Sequence, residues 1–222
     1  MRKFSLFAVL AITLAPAQAS VIQYALKSDH CTGRCGPSGT LFGTITLMDT
    51  VANTVEVKIS LDSKYKFVKT GFDVSVAWDL WGNPTVSASG LPSGWSLYDG
   101  GKSTSIAMDG TGNFEYGLVC CSGKNGASYS QWGPLDFTLT AVGLSTASFS
   151  NTNARGYDFA VDIYNTARYG TGYGNTGIVA ATDCGRVTIS DTPEPATFAM
   201  LGGGLVGFAL ILRKRPHGSR RR

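Results

Sequence analysis

Val55, Val57, Ile59 and Leu61 alternate with Thr54, Glu56, Lys58 and Ser60. Successive side chains of a strand point to opposite faces, so this spacing buries one face and wets the other. A helix would scatter the same apolar residues around its axis. The alternation recurs in Phe72, Val74, Val76 and Trp78, in Leu135, Phe137, Leu139 and Ala141, and in Tyr157, Phe159, Val161 and Ile163. Val21 to Lys27, Leu41 to Met48, Asn113 to Val119 and Arg186 to Ser190 read as further strands, separated by Gly, Asn, Ser and Pro clusters. No stretch between them has helical spacing with caps, although Gly143 to Phe149 has room for one turn. The pattern predicts an all-β domain over residues 20–190, an antiparallel β-sandwich or jelly roll rather than a barrel, with the strand order open.

The two ends read differently. Met1-Arg2-Lys3, an apolar stretch from Phe4 to Ala15, and Ala17-Gln18-Ala19 predict a signal peptide over residues 1–19, cut by signal peptidase before Ser20. About a dozen apolar residues are too few to span a hydrocarbon core roughly 30 Å thick. Residues 191–222 place Thr192-Pro193-Glu194-Pro195 before a 17-residue run without charge, Ala196 to Leu212, and a basic end over 213–222. That run is expected to be a transmembrane helix, with Arg213, Lys214 and Arg215 stopping transfer and staying cytoplasmic. Pro193 and Pro195 fix φ and hold Thr192 and Glu194 away from the helical region, which leaves an extended segment that a protease could grip. Gly203 and Gly207 form a GxxxG pair, read as a Gly-tolerant membrane helix.

A Pro-Glu-Pro triplet, a Gly-bearing apolar helix and an Arg-rich end, in that order, resemble the PEP-CTERM sorting signal of Gram-negative, biofilm-forming bacteria. Pro216-His217-Gly218-Ser219 interrupts the basic cluster without erasing it. The resemblance covers about the last 30 residues. It implies export through the inner membrane, transient anchoring by the C-terminal helix, and cleavage by an exosortase-type membrane protease. The protein would then reside at the cell surface or in the extracellular matrix. Gly117 to Cys121, Gly133 to Thr140 and Gly174 to Gly177 are also diffusely similar to the β-rich domains such tails carry.

The whole chain is +4, but removing Arg2, Lys3 and the six tail cations leaves 11 Lys and Arg against 14 Asp and Glu in residues 20–192. The exported part is therefore acidic, with no basic patch for nucleic acid. Its five cysteines suit an oxidising compartment, and two bridges would leave one over. The expected pairing is Cys31 with Cys35, through a small loop at Gly33, and Cys184 with Cys120 or Cys121. A metal site from His30, Cys31 and Cys35 lacks a second ligand pair.

Catalytic signals are weak, and no enzyme activity, cofactor or metal is expected. Gly100-Gly101-Lys102-Ser103 ends like a phosphate-binding loop, but the opening glycine is replaced by Ser96, so a turn is expected. Gly172 to Gly177 spells GxGxxG without a following helix and reads as a surface loop. There is no GxSxG, and the two histidines are His30 and His217. Asp158 with Asp162, and Asp73 with Asp79, fall on polar strand faces, where solvated aspartates are expected. Four tryptophans leave a carbohydrate-binding module as the alternative, with Trp81, Tyr169 and Tyr173 as candidate sugar-stacking residues and extracellular polysaccharide as the partner. A secreted glycoside hydrolase is a weaker alternative. Two rings on one exposed face would favour the binding module.

Overall fold

Alternation of β-branched and polar residues, punctuated by glycine turns, produces strands throughout. In a computed structural model, the structure describes residues 20–71, 73–103, 105–167 and 176–182, and the backbone of 187–190. These lie in one compact unit, Ala19–Ser190. In chain order its strands are β1 Ser20–Leu26, β2 Ser28–Asp29, β3 Gly43–Val51, β4 Thr54–Leu61, β5 Tyr65–Phe67, β6 Val76–Trp78, β7 Ser87–Ser89 and β8 Ser96–Leu97. There follow β9 Ile106–Met108, β10 Gly112–Phe114, β11 Tyr116–Val119, β12 Leu135–Thr140, β13 Phe159–Asn165, β14 Thr176–Ala181 and β15 Val187–Ser190.

Among the described residues every strand pairing is antiparallel. One sheet runs β15-β1-β3-β4-β12-β7; the other runs β2-β14-β13-β6-β11-β8, with β5 also on β13. Neither path closes into a barrel. A separate hairpin joins β9 and β10. The one helical turn expected near Gly143 to Phe149 is a 3-10 turn at Thr146–Ser150, entered through a capping box at Ser145. Gly100 and Gly101 lie in another 3-10 turn, Tyr98–Gly101, with left-handed φ.

The inward faces of both sheets feed one apolar cluster. Ile45, Val57, Ile59, Phe137 and Leu139 of the first sheet share it with Val76, Trp78, Tyr116, Phe159 and Val161 of the second. Tyr24 meets Phe159 edge-on at 5.1 Å, and Trp78 lies 6.3 Å from Phe137. A second cluster covers the other face of the second sheet, where the β9–β10 hairpin lays Ile106, Met108 and Phe114 over Val74, Ala77, Ala160 and Ile178.

That second cover corrects two expectations. Asp79, Asp158 and Asp162 are buried rather than solvated, because the face that alternation marks as polar lies under the hairpin. Phe72 to Trp78 is also not one strand row: pairing begins only at Val76, and Val74 belongs to the outer cluster. Phe72 itself lies outside the described residues. No helix among the described residues is long and apolar enough to cross a membrane. The expected leader, 1–19, and the expected span, 196–212, lie outside them.

Candidate functional site

The first cluster of chemically capable residues is built on edge strand β2. Asp29 Oδ1 accepts the Cys31 amide at 3.0 Å, and its Oδ2 accepts the Cys35 and Gly36 amides at 2.9 and 3.3 Å. These bonds fold the chain so that Cys31 and Cys35 form the expected disulfide, with Cα atoms 5.5 Å apart. The Cys35 carbonyl in turn accepts Asn165 Nδ2 at 2.7 Å and the Tyr65 hydroxyl at 3.4 Å. Gly177 is needed here, since a Cβ on it would stand 2.5 Å from Cys31 Cα. Asp29, Cys31 and Cys35 are grouped as metal ligands would be, yet the sulfurs are bonded to each other and the carboxylate holds three amides.

The second expected bridge is corrected. Cys120 pairs with its neighbour Cys121, not with Cys184, which lies outside the described residues. Cys121 and Ser122 then adopt left-handed φ of 64° and 52°, a conformation non-glycine residues rarely take. The turn is fixed by Ser122 N–H donating to the Gly94 carbonyl at 2.9 Å.

Sequence reasoning named His30 but missed its pairing with Ser28: Ser28 Oγ, on β2, lies 2.8 Å from Nε2 of His30, the residue that follows the strand. Their i, i+2 spacing was the available signal. Ser28 Oγ also lies 3.4 Å from the Tyr157 hydroxyl. Burial lowers the His30 pKa, with Arg155 acting the same way and Asp29 and Asp109 opposing, so the imidazole is biased toward its neutral, proton-accepting form. His30, Thr32, Thr70, Asp109 and Thr176 line a polar cleft of about 200 Å³.

Behind Thr70 lies Asp162. β5 and β6 follow one another along the same side of β13: Phe67 pairs with Ile163 and Val76 with Val161, with Asp162 alone between them. Its carbonyl accepts Val68 N–H at 3.1 Å, and its own N–H donates to the Ser75 carbonyl at 2.8 Å. Residues 68–75 therefore leave the sheet and return opposite a single residue. Asp162 Oδ2 accepts both the Thr70 amide and hydroxyl, at 2.7 and 2.6 Å, while Oδ1 is buried with no hydrogen-bond partner among the described residues. Burial pushes this carboxyl up to about 7, against the lowering effect of both Thr70 bonds. Asp79 is likewise pushed up to about 6 by burial, despite accepting the Glu115 amide at 2.7 Å.

Both folded values exceed the ordinary 3.8, so the folded chain holds protons that the unfolded chain releases. Stability is fullest near or below the unfolded pKa and falls as pH rises through about 6 and then 7. The melting temperature is expected to be lower at about pH 8 than at about pH 5, with a slope approaching about 1.4 kcal/mol per pH unit for each titrating group. Asp162→Asn, which keeps an acceptor for Thr70 and cannot ionise, should remove the larger part of that difference. Calorimetry of both proteins at the two pH values checks this, and an unchanged difference in the variant would contradict it.

Among the candidate stacking residues, Trp81 is 63% exposed and Trp132 57%, whereas Trp78 is buried and Trp95 packs edge-on against Phe67 at 5.2 Å. Register separates the two exposed rings. Trp81 follows Trp78, opposite Phe159, whereas Trp132 follows Gln131, which bridges to Phe67 opposite Ile163. They belong to different ends of β13. Lys66 Nζ lies 4.5 Å from the Trp132 ring centroid. Tyr169 and Tyr173 lie outside the described residues, as do Pro193, Glu194, Pro195, Arg213, Lys214 and Arg215.

The Pro-Glu-Pro tail lies outside the β-rich, disulfide-bearing domain, so the address is separate in sequence from the fold. The family described as PEP-CTERM protein-sorting motif matches residues 191–215. The chain is a PEP-CTERM sorting domain-containing protein, and the motif implies export and processing by an exosortase, a membrane protein. No curated protein and no solved structure matches the chain.

Proposed function

We propose that this chain is an exported, non-enzymatic surface or extracellular-matrix protein, associated with exopolysaccharide and biofilm. Its β domain is a sandwich, delivered by a leader over residues 1–19 and held at the inner membrane by a transmembrane helix over 196–212. An exosortase-type protease then cuts at the Pro193-Glu194-Pro195 signal and releases it. The observation that carries the reading is the sorting motif at 191–215, joined to the chain almost directly after β15. The acidic, disulfide-bearing body supports delivery to an oxidising space outside the cytoplasm.

A carbohydrate-binding module is the second reading, favoured by the exposure of Trp81 and Trp132. It ranks lower because the two rings belong to opposite ends of β13 rather than to one platform, as flat stacking on a sugar chain would require.

Intact mass and N-terminal sequence of the form recovered outside the cell test the first reading. The expected product begins at Ser20, lacks the apolar run and basic end, and is lighter by four hydrogens for its two disulfides. Recovery of protein that keeps Met1, or of the whole tail on extracellular protein, would refute it.

A further inference from the structure

We propose that the end of the domain from which the tail departs is a lipid-facing surface, resting on the bilayer through Val51, Trp81 and Val142 while the tail is anchored. The proposal depends on the reading of residues 196–212 as a membrane segment.

β15 ends at Ser190, paired with Ser20 at the start of β1. The next strands put Asp49, Val55 and Leu139 at this same end, because Val21 pairs with Met48, Asp49 with Val55, and Val55 with Leu139. Only residues 191–195 separate Ser190 from Ala196. Five extended residues reach at most about 18 Å, so an anchored run starting at Ala196 keeps this end close to the bilayer.

The same end carries apolar side chains that the fold does not cover. Val51 is 69% exposed, Trp81 63% and Val142 93%. They are held on one connected framework. The Ala141 and Gly143 amides donate to the Asn53 carbonyl and Oδ1 at 3.1 and 2.7 Å, which ties the Val142 loop to the β3–β4 hairpin beside Val51. Thr146 donates its amide and hydroxyl to Asp49, both at 2.8 Å, which occupies that carboxylate. The Trp81 backbone amide donates to the Ser148 carbonyl at 2.9 Å, which ties the backbone that carries the indole to the same 3-10 turn.

Tryptophan suits the headgroup region, where its ring is buried and its N–H stays wet. Lys102, whose Nζ donates at 2.9 Å to the carbonyl of Asn83, two residues after Trp81, adds a cation beside that loop, matched to anionic headgroups. Two valines and one indole would bind lipid weakly alone. A tether converts that contact into an intramolecular one, for which weak affinity suffices.

The test uses the full-length chain reconstituted in phosphatidylethanolamine and phosphatidylglycerol vesicles whose acyl chains carry bromine, a contact quencher of indole fluorescence. Flotation reports membrane insertion. Wild type is expected to float and to be quenched by bromolipid. Trp81→Phe should lose more than half of that quenching and Trp132→Phe should keep it. Val51→Glu with Val142→Glu, both at exposed positions, should also lower it by lifting Trp81 from the lipid. A chain that floats with quenching unchanged by Trp81→Phe overturns the proposal and leaves the membrane-segment reading standing. A chain that does not float overturns that reading and the proposal with it. If bromolipid has no effect while soluble dextran alters the Trp81 emission, the face takes a glycan and the proposal falls.

Discussion

With Pro193, Glu194 and Pro195 all replaced by Ala, the exported form is expected to disappear, and full-length chain carrying its tail should accumulate in the inner membrane. Each proline is about 3 kcal/mol poorer than alanine inside a helix, so the substitution permits helix to extend upstream of Ala196 through the segment a protease must grip. It also deletes Glu194, the one charge between Asp191 and Arg213. The apolar run and Arg213, Lys214 and Arg215 are untouched, so insertion and orientation should persist. Immunoblots of membrane and culture fractions, with an antibody to the β domain, read the outcome. Cleavage and release at the wild-type level would show that the triplet is not the recognition element, and the tail would then be a plain anchor.

Val57→Asp is expected to abolish folding at ordinary temperatures, whereas Lys58→Asp, its immediate neighbour, should change stability by no more than about 1 kcal/mol. Val57 is fully buried and lies between Leu47 and Phe137 in the register of the first sheet. An aspartate there would be a charge without a partner among aliphatic and aromatic groups, costing about 4 kcal/mol or more of a domain stability that is typically about 5–15 kcal/mol. Lys58 points the other way, half exposed, with Nζ 3.8 Å from Asp136 Oδ1. Its replacement exchanges a weak surface pair for a cross-strand like-charge pair, a small cost in water. Urea unfolding of the two variants separates the cases, and comparable losses would contradict the assignment of faces.

The strands that read most plainly from residues alone were those with one wet face, although β13 was also read from its row Phe159, Val161 and Ile163. β1, β3, β4 and β12 form such a sheet, and their alternation survives in burial, as Val55, Val57 and Ile59 show. In β14 of the second sheet both faces are buried, which erases the period. Ile178 to Ala181 is then a short continuous apolar run that resembles no half-buried strand, although it is the core of β14. Its second cover, the β9–β10 hairpin, consists of two three-residue strands, too short to announce themselves. This is why Asp79, Asp158 and Asp162 read as solvated. Glu115 breaks the expected strand from Asn113 to Val119, because its amide turns to Asp79 rather than to a ladder partner. Adjacent Cys120 and Cys121 were assigned to a distant partner, whereas a backbone able to adopt left-handed φ at Cys121 lets neighbours join. The sorting motif at residues 191–215 was legible because it lies in composition and order rather than in packing.

The detour over residues 68–75 has a consequence for how such a sheet can change. In an uninterrupted strand, adding or removing one residue turns every later side chain to the opposite face. Here the chain leaves after Phe67 and resumes at Val76, and the two flanking pairs, with Ile163 and Val161, stay in phase across Asp162. Whatever lies between is exempt from the parity that rules the rest of β13's neighbours. Odd and even lengths are equally compatible with Trp78 facing the core, provided one residue can still meet the Asp162 carboxylate as Thr70 does. The stretch between the buried Val68 and Val74, beside the polar cleft, is thus a place where this domain can gain or lose residues without turning Val76 and Trp78 to the opposite face.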